Sequence, residues 1–302
     1  MRNLIFKMAG WRKSKDSTYA ECHKLFGGSV ITHPDVLNFL HNRLPCNPDY
    51  YVKKDTDGRL LGALCTWDGK HLAGDAEFSK KIANAYPFSK DEIILPISSS
   101  EEYVIPFKSK CLSPINAQNV INSMISINSG RRICIAKGCG GSGYSSKTKN
   151  RRNSELNRFL NAGGDIFDQS EFSPEDLCEI YIELFYKRRG RKPDNVHEML
   201  DTLKNLRSFF FGHVLTLKGK PCAFQMITKA ESPGWVSYDY INGGYDQVHD
   251  SFCPGTVVTW LNVKKAYDFS SMAGKELRYS FGKPTADYKD RWCRTESLAR
   301  LL

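Results

Sequence analysis

Four short stretches of the sequence carry residue types able to do chemistry. The first is Asp239, set between Tyr238 and Tyr240. A carboxyl confined among aromatic rings keeps its proton to a higher pH and can accept one from an amine. More often such an Asp only hydrogen-bonds a neighbouring loop. His249 and Glu276 are the other candidate bases. The second stretch runs from Asn242-Gly243-Gly244 to Cys253-Pro254-Gly255-Thr256. Pro254 suits the first turn of a helix, and Gly255 lets a ligand approach the backbone there. The partial positive charge of a helix start favours phosphate. The third is Tyr288-Lys289, followed by Trp292 and flanked by Asp287, Asp290 and Arg291, which is also the composition of a solvated turn. The fourth is the glycine-rich run Gly138–Gly143. A P-loop places Lys directly after its last Gly, but Tyr144 stands there, so the run reads as a linker between two halves.

The elements that must position these residues follow from periodicity. His33-Pro34 introduces a helix with Val36, Leu37, Phe39, Leu40 and Leu44 on its apolar side. Residues 49–55 and 59–67 read as strands joined at Asp57-Gly58. Short strands are expected at 92–95 and 103–107, and a helix over 114–128 from the spacing of Ile115, Val120, Ile121, Met124 and Ile125. A buried strand over 131–136 precedes the glycine run. Beyond it come helices over 153–162, from Ser173-Pro174 to about 189, and over 195–206. Strands follow at 209–217, 222–229 and 235–241, then a helix from Pro254-Gly255 to about 269 and a last strand at 276–281. Both halves share the order helix, hairpin, strand, helix, strand, a duplication of pattern rather than of residues.

Composition narrows the function classes. With 302 residues, 41% hydrophobic and 12% aromatic, both halves can bury a core. The 10 cysteines include no CxxC pair, so neither zinc nor a redox dithiol is indicated, and the cytosol is the expected compartment. No segment is apolar enough to cross a bilayer. At the N-terminus Leu4, Ile5, Met8 and Trp11 would share one side of a helix. That segment suits an anionic membrane surface as well as it suits packing on its own domain. The net charge is +10, and no Asp or Glu occurs from Tyr103 to Ser154, where Lys110, Arg131, Lys137, Lys149, Arg151 and Arg152 fall. A second basic run spans Lys187–Lys192. Such clusters attract a polyanion, whether a phosphate-bearing cofactor, an RNA or an anionic lipid face, or they simply solvate a surface. No helix pair with a basic second helix supports a DNA-binding regulator.

The order of elements after residue 170 resembles the GNAT acyltransferase fold. The sequence INGGYDQVHDSFCPGTVVTWLNVKKAYDF with LRYSFGKPTADYKDRW resembles, more narrowly, the FemAB-like branch of that superfamily, matching at Pro254, Gly255, Thr256, Trp260, Gly282, Tyr288, Lys289 and Trp292. SSKTKNRRNSELNRFLNAGG and EIYIELFYKRRG are similar to that branch too. Within it the chain looks most like the macrophage-inducible antimicrobial-peptide-resistance (Mig) family of Gram-negative bacteria. The resemblance implies an α/β (α+β) enzyme of two tandem GNAT-like domains, the N-terminal one degenerate: a basic segment over 1–20, then domains over 21–145 and 146–302. It implies that Gly243, Gly244, Pro254, Gly255 and Thr256 hold the pyrophosphate of coenzyme A, that Tyr288 packs on the donor, and that Lys289 stabilises the carbonyl oxyanion. An oxyanion-stabilising group is worth about 3 kcal/mol. Asp239 is the expected base. The donor is acyl-CoA, with aminoacyl-tRNA as the alternative; the acceptor carries an amine or hydroxyl, and no metal takes part. The implied role is resistance of the envelope to cationic peptides, from the cytoplasm or the cytoplasmic face of the inner membrane. A non-catalytic nucleic-acid-binding regulator or membrane-surface scaffold is the competing reading.

Overall fold

The Asp57-Gly58 turn forms as expected, because Asp55 accepts hydrogen bonds from the backbone of Asp57 and Arg59 at 2.9 and 2.8 Å and Gly58 adopts φ 82°. In this computed structural model, which describes residues 9–128 and 130–302, that turn joins two strands of a small antiparallel sheet. The sheet runs in the order β1 (Arg12–Ser14), β2 (Pro48–Lys54), β3 (Leu60–Trp67), β4 (His71–Leu72). Helices α1 (Asp16–Phe26) and α2 (Pro34–His41) pack with it around Tyr19, Leu37, Leu40 and Trp67. The apolar residues expected at the start of the N-terminal segment lie outside the described residues. Trp11, assigned to the same apolar stripe, is a core residue: it is buried, stacks on Tyr103 and donates its Nε1–H to the Val104 carbonyl at 2.8 Å.

After α3 (Ala76–Lys81) the chain is irregular, and the expected strands at 92–95 and 103–107 shrink to isolated bridges, Ile93 with Leu112 and Tyr103 with Val120. The helix expected over 114–128 does not form. One turn, α4 (Pro114–Ala117), and a two-residue strand, β5 (Ser123–Met124), replace it. The cause is a ladder of asparagine side chains. Asn116 donates to the Leu95 carbonyl and accepts from the Leu95 N–H, and Asn122 does the same with Ile105. Asn119 reaches the carbonyls of Ser99 and Glu101. Side chains that imitate a strand's backbone outcompete the helix, and they leave Ile121, Met124 and Ile125 exposed.

The second half begins before the glycine run. β6 (Arg132–Ala136), on the N-terminal side of the expected 145/146 division, is hydrogen-bonded into the larger sheet. The run itself is a tight turn packed on Tyr267: a Cβ on Gly143 would lie 2.1 Å from the Gly138 carbonyl oxygen. Then come α5 (Ser146–Asn161), β7 (Gly164–Asp168), α6 (Pro174–Arg189) and α7 (Val196–Asn205). They are followed by β8 (Phe210–Phe211), β9 (His213–Leu217), β10 (Lys220–Glu231), β11 (Trp235–Tyr245), α8 (Pro254–Met272), β12 (Glu276–Ser280) and β13 (Cys293–Ser297). The Ser173–Asp176 capping box starts α6, and Gly190 in the left-handed region ends it. The sheet order is β13-β6-β12-β11-β10-β9-β7, with β8 beside β10. Only β11 and β12 pair in parallel.

The halves are tied at several points. Arg278 on β12 is buried and binds both Glu92 and Glu296. Ser232, in the β10–β11 turn, exchanges hydrogen bonds with Gly28, and Arg43 pairs with Asp201. At the chain end β14 (Arg300–Leu301) returns to pair with β5. Because Asn116 satisfies both backbone groups of buried Leu95, Asn116→Leu should destabilise the protein by about 2 kcal/mol or more. Asn119→Ala, at an exposed rung, should cost well under half of that; equal losses in denaturant titrations would contradict the ladder account.

Candidate active site

Two departures from regular pairing open a cavity in the larger sheet. Parallel pairing of β11 with β12 stops at Asp239–Ser280, although β11 runs on to Tyr245 beside β10. Ile241 is an extra residue in β11, a bulge that re-aims the strand just past that point. Beyond β12 the chain turns away, with Gly282 at φ 70° and Phe281 and Gly282 bonded to Cys134 of β6. The strands therefore part next to Asp239 and Tyr240.

The cavity beyond that point, walled by β10, β11, the start of α8 and the 288–292 segment, has a volume of about 470 Å³. Gly243 and Gly244 lie on β11 rather than in a loop, and both line it. Each must be glycine: a Cβ on Gly244 would strike the Leu184 backbone at 2.3 Å, and one on Gly243 would meet the Phe224 carbonyl and the Tyr240 hydroxyl at 2.9 Å. Gly255 and Thr256 line the cavity from the first turn of α8, whose start carries no acidic residue. Pro254 opens that helix but does not line the cavity. The Tyr245 ring fills the space a Gly255 side chain would need, 3.1 Å away.

Charge on the walls is mainly positive: Arg152, Arg188 and Arg291 face a single acid, Asp250. Arg152 is buried, binds Glu155 and lies over the Trp292 ring at 4.8 Å, yet its Nε has no hydrogen-bond partner among the described residues. Arg188 donates to the Gly243 carbonyl at 2.8 Å. Buried guanidinium N–H with no partner, beside an acid-free helix start, fits an anion such as a diphosphate. Aromatic walls from Phe224, Tyr240, Tyr245 and Trp292 fit an apolar arm.

The predicted chemical residues fall in different places. Tyr288 lines the cavity, where burial and the nearby Tyr240 hydroxyl push its pKa up. Lys289 does not reach it. Its ammonium is buried and donates to the carbonyls of Phe281, at 2.6 Å, and Lys283; burial lowers its pKa. Asp239 points toward the N-terminal half. Burial first, then the charges of Glu92 and Asp91, push its pKa up to about 8 against the pull of Arg278. His249 lies in the short helix before Cys253 and Glu276 at the far end of β12; neither lines the cavity. Sequence reading had placed Arg152 and Arg188 in charge clusters without singling them out. Most of their neighbours are engaged elsewhere: Lys110 and Arg131 with Glu77, Lys187 with Glu183 and Asp246. Among the described residues no group of His, Cys, Asp and Glu could hold a metal ion, and no helix is long and apolar enough to cross a membrane.

The family model for Mig-14 matches residues 33–301. The chain belongs to the Mig-14 family. A search of curated proteins finds no match. Among solved structures, FemX superposes with a TM-score of 0.57 at 9% identity, covering 97% of each chain. L-PGS from Bacillus licheniformis gives 0.46 at 13% identity, covering 96% of this chain and 92% of its own. A tandem GNAT protein from the clavulanic acid biosynthesis pathway gives 0.43 at 9%, covering 97% of each. The FemX likeness carries the fold: this Mig-14 family member has the tandem GNAT architecture, with its first half reduced to the four-stranded sheet.

The buried carboxyl of Asp239 has a stability consequence. Its folded pKa of about 8 exceeds its ordinary 3.8, so the native state holds an extra proton between those values. The contribution is complete below about pH 4 and is lost as pH rises through about 8. Asp239→Asn should therefore melt progressively higher relative to the parent as pH goes from about 5 to about 9. A difference that stays constant across that range would show that the carboxyl is not protonated.

Proposed function

We propose that the protein moves an acyl group from acyl-CoA, bound in the cavity between the parted strands, to an amine or hydroxyl acceptor. The observation that supports this most is the unpartnered Arg152 Nε beside the acid-free start of α8. Arg152, Arg188 and the first turn of α8, with Gly255 and Thr256, would hold the diphosphate, while Tyr240, Tyr245 and Trp292 would sheathe the arm and exclude water. The donor supplies the activated thioester carbonyl. An aminoacyl-tRNA donor is the weaker alternative. In the basic run offered for an acceptor stem, Lys187 is held by Glu183 and Asp246 and Arg191 by Asp194. That leaves fewer cations for phosphate contacts.

Within that reading, the Tyr288 hydroxyl gives its proton to the leaving atom, a role its position on the cavity wall suits. Lys289 positions Tyr288 by fixing the 281–289 loop. Asp239 takes up the acceptor's proton, and its carboxylate form becomes abundant only as pH approaches 8. The cellular role, resistance of a Gram-negative envelope to cationic peptides from a peripheral site on the inner membrane, is carried by the family resemblance and is compatible with the net charge of +10.

The test uses labelled acyl-CoA and purified protein. Tyr288→Phe should lower turnover by about 100-fold or more while leaving coenzyme A affinity nearly unchanged. Arg152→Leu should weaken that affinity first. Full activity in a well-folded Tyr288→Phe protein would remove the proton-donor role, and coenzyme A failing to bind the parent would remove the donor. Turnover should also rise with pH through about 8, and that rise should vanish in Asp239→Asn; a profile unchanged by the substitution would exclude Asp239 as base.

A further inference from the structure

A second cavity, of about 450 Å³, lies on the other side of Tyr240, the residue that lines both. Its walls come from both halves: α3 and the chain through Asp91 on one side, Tyr240, Ile241 and Lys283 on the other. Two of its polar side chains are almost wholly buried and have no partner for one atom. Ser79 is 1% exposed and Asn84 8%. Neither the Ser79 Oγ nor the Asn84 Nδ2 has a hydrogen-bond partner among the described residues. Leaving such groups unmatched costs about 1–3 kcal/mol each, and a ligand that reaches them from the cavity would relieve that cost.

The kind of group left unmatched indicates the ligand. Asn84 already uses its Oδ1, which accepts from the Tyr86 N–H at 3.1 Å, so what remains is its amide donor. Lys90 adds an ammonium fixed by the carbonyls of Asn84 and Tyr86, with burial lowering its pKa to about 8. Lys80 and Lys283 stand on the same walls, against one acid, Asp91, which Lys283 neutralises at 3.1 Å. The lining is thus dominated by donors and cations and suits an oxygen-rich anion.

We propose that this cavity is the acceptor site of the transfer, and that the acceptor is an alcohol or amine carrying a phosphate-type anion, anchored by Ser79, Asn84 and Lys90. The assignment of the cavity as an acceptor site rests on the donor reading above; the anion site itself does not. Tyr240 is then the partition across which the two substrates meet. In the transfer, the acceptor's oxygen or nitrogen bonds to the acyl carbon and the carbon–sulfur bond of the thioester breaks. The acceptor's proton passes to Asp239, the residue before Tyr240 on β11, and the thiolate takes one from Tyr288. A phosphorylated metabolite and an anionic lipid headgroup share this chemistry.

Thermal melting separates these possibilities. Glycerol 3-phosphate should raise the melting temperature of the full chain and glycerol should not. If the source is a lipid, phosphatidylglycerol vesicles will protect where phosphatidylcholine vesicles do not. Asn84→Asp keeps the Oδ1 contact and puts an acid where the amide donor was; it should raise the concentration needed for half the effect by about tenfold or more. Ser79→Ala, which removes a hydroxyl that holds nothing in the fold, should weaken binding without lowering the unliganded melting temperature. Coenzyme A should protect both variants as it does the parent. If coenzyme A protects the parent but neither anionic probe does, or if Asn84→Asp responds like the parent, the second cavity is not an anion site. If the anionic probes protect and coenzyme A does not, the anion site stands and the donor reading falls.

Discussion

The site depends on one lysine holding two backbone carbonyls. Lys289 reaches back from the short helix at 287–291 to the carbonyls of Phe281 and Lys283, where β12 has just ended. A charged donor satisfying carbonyls at a strand's exit fixes the direction in which the chain leaves. Here that direction is away from β11 and toward β6, whose Cys134 receives the departing backbone. If β12 continued beside β11, the two strands would close the gap in which Tyr240 and Tyr288 stand. The grip therefore keeps the sheet split and carries Tyr288, the adjacent residue, to the cavity wall. In the proposed reading Lys289 is a positioning residue, and its effect on the reaction passes through the loop it holds.

Charge in this chain is spent unevenly, and that unevenness is informative. A net +10 and an acid-free stretch of sequence suggested a broad cationic face. In the fold, much of that charge is answered locally by Glu77, Glu155, Glu183 and Asp246 or by backbone carbonyls. Buried polar atoms without a partner among the described residues include three on residues that line these cavities: the Arg152 Nε at the first, and the Ser79 hydroxyl and the Asn84 amide, near three lysines, at the second. Exposed ion pairs contribute little to stability, whereas a buried unmatched donor is costly. An unmatched donor on a cavity residue is thus a better guide to a ligand than the total charge.

How much of this was legible in the sequence varies with the type of signal. Caps, turns and helical periodicity made much of the second half legible, because Ser173-Pro174 and Pro254-Gly255 act locally, as Asp57-Gly58 does in the first half. The 114–128 segment misled because its apolar spacing looked helical while Asn116, Asn119 and Asn122 were bonding a distant backbone; a contact with Leu95 or Ile105 leaves no local mark. The extension of β11 through Gly243-Gly244 was hidden for a related reason. Adjacent glycines read as a loop, yet these are glycine because α6 and Phe224 crowd them. At the site, Gly255, Thr256 and Tyr288 were legible as cavity residues. Lys289 was legible as a special residue, but its partners, two carbonyls, have no signature in side-chain types. Arg152 stood in a recognised cluster, but sequence alone does not say which member of a cluster lacks a partner.

The reduced first half has a chemical use that follows from where Asp239 points. Successive residues of β11 alternate faces, so Tyr238 enters the core under α8 while Asp239 turns toward the other half. There Asp91 and Glu92 add repulsion to the effect of burial, and only Arg278, shared with Glu92 and Glu296, opposes them. Neither acid belongs to the sheet that carries Asp239. Burial is the first cause of the rise, and the two carboxylates of the first half add to it. Docking of the first half therefore raises the proton affinity of Asp239 further, and the same docking walls off the second cavity with Ser79, Asn84 and Lys90. A four-stranded sheet with its two helices is enough to present those side chains, because each contact needs a surface carrying a few placed groups rather than a larger sheet.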